Sequence, residues 1–439
     1  MVKRILITVI ALTVNLLFSS AGRPGMDGLV SEFRSQTKCR NVSVVIYDNG
    51  EFSYYGDKEG LYQIGSMTKS FTGLAVQKLI NDGLISGEDT VSELIPGFTA
   101  YFDSSEVDIT VENLLKQESG YTNSEKDYPS ATEDMTLDTW AQGISGKDLK
   151  SLPGMEYSYS NVNYNLLGLI IEKVTGRSYE DYMEKEVLEP LGLENVYVGM
   201  PQEGNIIEGS RLGFRTSFEY KVPVRQASIP AGYFYSNTED IGIWMKAWIE
   251  GADPAMDDVV AQLTDKGDYY AGWERFDGDV IGHSGGTPNY SSRIVFSRSL
   301  KKGVCVLTDI NVAATTDSLC NSIFDELTGK SGNGLVCDVW TVFDIIFTSV
   351  SVIGVALLIL IFFMKKKGIL IGSGIGLSVL LLLVLIILPA VFGAGLKDIA
   401  FVWAPWSFAA GLIILASDII AILLRLVAVK RNEGRTKTG

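Results

Sequence analysis

Apolar positions divide the chain into two unlike parts. Up to about residue 328 they come in short runs broken by polar residues, whereas beyond it they run together. Residues 342–364, 369–392 and 399–429 are each apolar over a length that crosses a bilayer. In the first part, residues 22–38 read as a short amphipathic helix, with Met26, Leu29, Val30 and Phe33 on one face. The β-branched stretch 42–47, the turn signal Asp48-Asn49-Gly50 and the stretch 51–55 predict a β-hairpin. Phe71, Leu74, Ala75, Leu79 and Ile80 recur at helical spacing and predict a buried helix ending near Asp82-Gly83. From about 84 to 224 the character is helical with polar loops, and helices are predicted at 109–116, 163–174 and 179–187. A turn at Pro230-Ala231-Gly232-Tyr233 precedes a helix at 238–250. Strand character returns at 279–282, 291–296 and 303–309, and 315–327 reads as a helix. The pattern predicts an α+β domain over 22–328. Its mostly antiparallel sheet draws on both ends of the domain, with a helical insertion at about 84–224.

The ends of the chain add a topology. Lys3 and Arg4, the apolar run 5–18 and Ser19-Ser20-Ala21 form the pattern of a signal peptide over 1–21. A Gly-rich linker at 329–341 leads to the three spans. Lys365, Lys366 and Lys367 follow the first span and Lys430 and Arg431 the third, so the positive-inside rule puts both clusters in the cytoplasm. The expected protein is a multi-pass membrane protein with an extracytoplasmic domain and a cytoplasmic tail at 430–439. Trp340, Trp403 and Trp406 would sit at the outer interface. Gly372, Gly374 and Gly376 lie inside an apolar span, where small residues serve helix packing, and a helix–helix dimer through the spans is compatible with them. Asp418 would need a polar partner, Ser373 or Ser378, or a functional role. Export would allow Cys39, Cys305, Cys320 and Cys337 to form disulfides, with the pairing open.

Charge and composition exclude several functions. A net charge of −15 argues against nucleic acid as the main partner. With one histidine, His283, a His-based zinc site is excluded, and the four cysteines are too dispersed for a thiolate one. No metal or organic cofactor is implied. A serine triad of the Ser-His-Asp kind would have to use His283, the one histidine.

The candidate chemistry lies at Ser66-Met67-Thr68-Lys69. A Ser and a Lys three apart share one helical face, and a desolvated lysine can act as the base that a serine nucleophile needs. The same spacing at Ser35 to Lys38 and Ser299 to Lys302 lies in polar surroundings, and only Ser66 introduces an apolar helix. A Ser–Lys hydrolase also needs a proton shuttle and a substrate-amide contact. Outside the hairpin turn at Tyr47 to Asn49, Tyr-x-Asn occurs at Tyr121 to Asn123, Tyr159 to Asn161 and Tyr235 to Asn237, and spacing does not choose among them.

These motifs occur in order with Asp82-Gly83-Leu84, Pro153-Gly154, Tyr157-Ser158-Tyr159-Ser160-Asn161, Leu188-Glu189-Pro190-Leu191-Gly192, Pro230-Ala231-Gly232 and Gly282-His283-Ser284-Gly285-Gly286. The set resembles the serine β-lactamase and penicillin-binding protein superfamily, in its class C β-lactamase-like branch. The resemblance implies a five-stranded antiparallel sheet flanked by helices. It also implies Ser66 as nucleophile, Lys69 as its activator and Tyr159 as general acid/base. The backbone N–H groups of Ser66 and Gly286 would form the oxyanion hole, and Asn161, His283, Ser284 and Gly285 would contact substrate. Histidine stands at 283 where lysine is commoner, and Asn289 where glycine is frequent. With three C-terminal spans, the whole chain is similar to peptidases that mature peptide prodrugs, the colibactin-activating peptidase among them. The implied activity is a membrane-anchored, extracytoplasmic, D-amino-acid-directed peptidase acting through an acyl-enzyme on a small peptide or acylated D-amino acid. A β-lactamase, an esterase and a β-lactam-sensing receptor of the same fold are the alternatives.

Overall fold

The computed structural model describes residues 25–436 apart from 125–126, 129–130 and 267–268. The predicted signal segment at 1–21 and the end of the tail at 437–439 lie outside the described residues. Helix α1 (Met26–Thr37) leads into strands β1 (Val42–Asp48) and β2 (Glu51–Tyr55). The other strands come late: β3 (Tyr269–Tyr270), β4 (Trp273–Arg275), β5 (Val280–Thr287), β6 (Tyr290–Ser297) and β7 (Lys302–Thr308). They form one antiparallel sheet in the order β2-β1-β7-β6-β5-β4-β3. The sheet therefore has seven strands and not five. The two extra ones span two and three residues, too short to carry an alternating pattern.

Both faces of the sheet are covered, which is why β6 is buried at all eight positions. Alternate side chains enter two cores. Val44, Val295, Val304 and Val306 meet Leu29, Val30 and Phe33 of α1 and Leu319, Ile323 and Phe324 of the helix Ala313–Leu327. Val45, Ile294, Phe296 and Leu307 face the larger core, which holds helices α2 (Thr68–Asn81), α3 (Asn161–Thr175) and α4 (Thr238–Glu250). There Phe71 of α2 stacks on Trp244 of α4 with centroids 3.8 Å apart, both rings fully buried. Each such ring stabilises the fold by roughly 1.5–3 kcal/mol through burial. The four cysteines are free and buried, in contrast to the disulfides that export would allow. Cys39 donates to Asp309 Oδ1 at 3.1 Å, and Cys320 lies near the carbonyls of Arg293 and Val304.

After the domain come α5 (Val339–Phe363), α6 (Lys367–Phe392) and α7 (Trp406–Thr436), each long and apolar enough to cross a membrane. The expected third span at 399–429 is corrected at its start. Residues Ile399–Trp403 form one π-helical turn, and Ala404, extended because it precedes Pro405, breaks the chain before α7. Of the tryptophans expected at an interface, Trp340 stacks on Phe392 at 5.1 Å and Trp406 lies against Arg211. Asp418 is buried with no hydrogen-bond partner for either oxygen among the described residues. It faces Gly354 of α5 and not Ser373 or Ser378. Of Gly372, Gly374 and Gly376 in α6, Gly374 faces Ile422 of α7, while a Cβ added at Gly372 or Gly376 would meet nothing within 4 Å.

A hairpin, Ser210–Gly213 with Thr216–Glu219, docks the domain on these helices. Arg215 N at its turn donates to Asp344 Oδ2 of α5 at 2.9 Å, and Ser407 of α7 donates to the other oxygen at 2.7 Å. Arg211 is buried. Its guanidinium donates to the carbonyls of Ala404 at 2.5 Å, Phe401 at 2.7 Å and Ala400 at 2.7 Å. Burial lowers its pKa to about 10, which leaves it charged at neutral pH. Asn289 holds the hairpin to the β5–β6 turn by donating to the Tyr220 carbonyl at 2.9 Å, and the Tyr220 hydroxyl reaches Phe401 O at 3.0 Å.

Candidate active site

Ser66 sits in a 3₁₀ turn, Gly65–Met67, immediately before α2, and not inside the helix itself. The turn is pressed against β5. A side chain on Gly65, whose φ is +55°, would bring its Cβ to 2.5 Å from Gly286 N. Ser292 of β6 donates to Ile64 O at 2.8 Å, and Ile64 N donates to Phe234 O at 2.9 Å. Ser66 is thus fixed between the sheet and the segment that follows Pro230-Ala231-Gly232, with its hydroxyl open to a cleft.

Lys69, one turn on, is completely buried. Its Nζ lies 3.0 Å from Ser66 Oγ, 2.7 Å from Asn161 Oδ1 and 2.6 Å from Ala231 O. Burial holds its pKa well below the ordinary lysine value. A neutral amine has two hydrogens and one lone pair. Asn161 Oδ1 and Ala231 O accept the two hydrogens, which leaves the lone pair for the Ser66 hydroxyl. Tyr159 is hydrogen-bonded to Ser66, and its ring centroid is 4.9 Å from Lys69 Nζ. Burial pushes its pKa up, only partly offset by the Ser66 bond, so the phenol keeps its proton.

The other Tyr-x-Asn pairs do different work. Tyr121 is buried edge-on against Tyr128, and Tyr235 pairs with Gln63 in a small sheet. Asn237 caps α4 by accepting from Asp240 N at 2.8 Å. Asn123 accepts from Asn161 N at 2.8 Å and lines the cleft, a contribution that spacing did not reveal.

Strand β5 alternates sides as a strand must. His283 is buried beside Tyr159 and Tyr269, its Nδ1 hydrogen donating to Ser284 O at 2.6 Å. Burial lowers its pKa to about 3, so the ring is neutral. The protonated histidine that would pair with a substrate carboxylate is not what this site holds. Ser284 points the other way, accepting from Arg293 Nη1 at 2.8 Å and donating to Asp317 at 3.0 Å. Gly285 is buried against Ile64, and Gly286 opens on the cleft opposite Ser66. The free edge of β5 runs past Gly282, where its pairing with β4 ends.

The cleft has a volume of about 450 Å³. Ser66, Tyr159, Asn161 and Gly286 line its floor, and Arg225 and Tyr233 belong to its domain side. The remaining wall comes from the loop between α6 and α7: Phe392, Gly393, Ala394, Asp398, Val402 and Trp403. Nothing in the sequence pattern assigned these residues to the site, because they adjoin the spans. Among the described residues no cluster of His, Cys, Asp or Glu is suited to a metal ion.

Comparison with known proteins gives the family and the fold. A family model described as Beta-lactamase matches residues 26–321. The chain belongs to the β-lactamase family. Protein flp of Staphylococcus aureus (strain MRSA252) is 30% identical over 266 residues, which cover 57% of this chain and 53% of flp. A protein of Escherichia coli (strain K12) named "Putative D-alanyl-D-alanine carboxypeptidase" is 34% identical over 144 residues, 30% of this chain and 32% of that protein. The chain thus spans about half the length of flp and a third of the carboxypeptidase relative. Among solved structures, the octameric penicillin-binding protein homologue from Pyrococcus abyssi superposes with a TM-score of 0.63 at 22% identity, over 73% of this chain and 80% of its own. At that identity the likeness is one of fold.

Proposed function

We propose that the chain is a membrane-anchored serine hydrolase that cleaves amide or ester bonds through an acyl-enzyme, and that its substrates are small peptides or acylated D-amino acids. The observation that carries this reading is the arrangement at Lys69. Its Nζ lies within hydrogen-bond reach of Ser66 Oγ, Asn161 Oδ1 and Ala231 O, so that a neutral amine gives its two hydrogens to the last two and its lone pair to the Ser66 hydroxyl. As Ser66 Oγ bonds to the substrate carbonyl carbon, its proton passes to Lys69 Nζ. Negative charge gathers on the carbonyl oxygen between the N–H groups of Ser66 and Gly286. The Tyr159 phenol gives its proton to the leaving nitrogen or oxygen as that bond breaks, and the Lys69 ammonium returns a proton to the phenolate. Water then attacks the ester, again with proton transfer through Tyr159 and Lys69. Because Asn161 Oδ1 is committed to Lys69, its amide NH₂ is left to face a substrate carbonyl.

The D-amino-acid direction leans on the name of the Escherichia coli relative, and the membrane anchoring on the three apolar helices. With Lys365–Lys367 and Lys430 placed in the cytoplasm, the cleft opens on the extracytoplasmic side. Intact-mass analysis against D-Ala-D-Ala peptides, N-acyl-D-amino acids, esters and β-lactams tests the reading. An acyl adduct should form on the wild type and on no Ser66→Ala protein; an adduct that survives that change would defeat it.

A further inference from the structure

We propose that Asp398 and Arg225 are opposed anchors for a substrate that carries a protonated amine and a carboxylate at its two ends. This rests on the hydrolase reading above and names the substrate class of that site. Among the described residues lining the cleft, these are the two charged side chains, one of each sign. Among the described residues neither has an ion-pair partner, and both are partly buried. Lys69 is sealed beneath Ser66 and His283 is neutral, so neither offers charge to a ligand. Each charge lines a cleft that is otherwise uncharged, with Phe392, Val402 and Trp403 in the same wall as Asp398, and a ligand group of opposite sign complements it.

The position of Asp398 is not left to a wandering loop. It immediately precedes the π-helical turn whose carbonyls Arg211 and Tyr220 hold, and the same guanidinium lies over Trp406 beyond that turn. The hairpin that carries Arg211 is tied through Asn289 to β5, the strand that also bears Gly286. The loop between two apolar helices is therefore fixed relative to the nucleophile, as a specificity wall must be.

The test uses the full-length protein in nanodiscs and four matched substrates: D-alanyl-D-alanine, its N-acetyl form, its C-terminal amide, and the doubly blocked compound. The wild type should prefer the free-ended peptide in kcat/KM, with about a tenfold loss for each blocked end. Asp398→Asn should erase the discrimination against N-acetylation, and Asp398→Lys should invert it. Arg225→Gln should erase the discrimination against the C-terminal amide. Ratios are read within each protein, so loss of folded material does not mimic the result. Wild-type rates that agree across the four substrates to within about twofold overturn the proposal whatever the variants do, as do ratios unchanged in the variants. If a fluorophosphonate fails to label Ser66 in the wild type, the hydrolase reading fails; labelling together with charge-blind hydrolysis defeats this inference alone.

Discussion

Replacing Gly65 by alanine probes the oxyanion hole without touching a reactive group. Two costs arise. The first is conformational: an L-residue at φ +55° pays roughly 1–2 kcal/mol. The second is steric. The new Cβ would lie 2.5 Å from Gly286 N, against about 3.4 Å for ordinary contact, so the turn and β5 must separate by about 0.9 Å. That movement parts the two N–H groups assigned to the developing oxyanion. A displacement near 1 Å costs about 100-fold in rate, and loss of one oxyanion donor about 10²–10³-fold. Gly83→Ala provides the control. It has a similar backbone angle, φ +70°, but nothing lies within 4 Å of its Cβ. Both variants should lose comparable conformational stability in thermal unfolding, with Gly65→Ala losing more. Only Gly65→Ala should lose acylation, measured as adduct growth by intact mass. If the two variants acylate at the same rate, the Ser66–Gly286 contact does not set the reaction.

Further predictions follow from the same geometry. Acylation should already run at neutral pH and fall as acid protonates Lys69, because burial lowers the pKa of that amine; a rate that only climbs toward pH 10 would contradict this. The same shift bears on stability. The unfolded chain holds a Lys69 proton below about pH 10.4 that the folded chain gives up, so folding is penalised at neutral pH and the penalty fades as pH rises to that value. Lys69→Met should abolish acylation, and its melting temperature relative to wild type should be higher at pH 7 than at pH 10. Arg211→Met should cost about 3–5 kcal/mol in unfolding by stranding the carbonyls of Ala400, Phe401 and Ala404. Arg211→Lys should recover only part, since one ammonium does not reproduce a planar fork.

The hairpin at 42–55, the helix behind Ser66 and the helix at 238–250 were legible because their apolar residues repeat with a single period. Strands β3 and β4 were not, since two or three residues around the tight Ala271-Gly272 turn carry no period. At the site, Ser66 and Lys69 share one helical turn and are readable locally. Tyr159 and its two rivals look alike in sequence; burial of Tyr121 and Tyr235 separates them, and burial is a tertiary property. His283 illustrates the opposite error. The resemblance implies a substrate contact there, whereas its side chain on β5 is buried away from water. Asn289 stands where glycine is frequent, and its side chain holds Tyr220 and, through it, the loop between α6 and α7. Arg211 and Asp398 are 187 positions apart, and only the assembled chain brings their roles together.

That the loop between two apolar helices forms one side of the cleft has a practical consequence. A fragment cut in the linker before Val339 keeps Ser66, Lys69 and Tyr159 but leaves that side as open water. Such a fragment would still take up reactive probes while ranking substrates by rules the intact protein does not follow. Inhibitor screens run on it would select compounds for a half-built receptor.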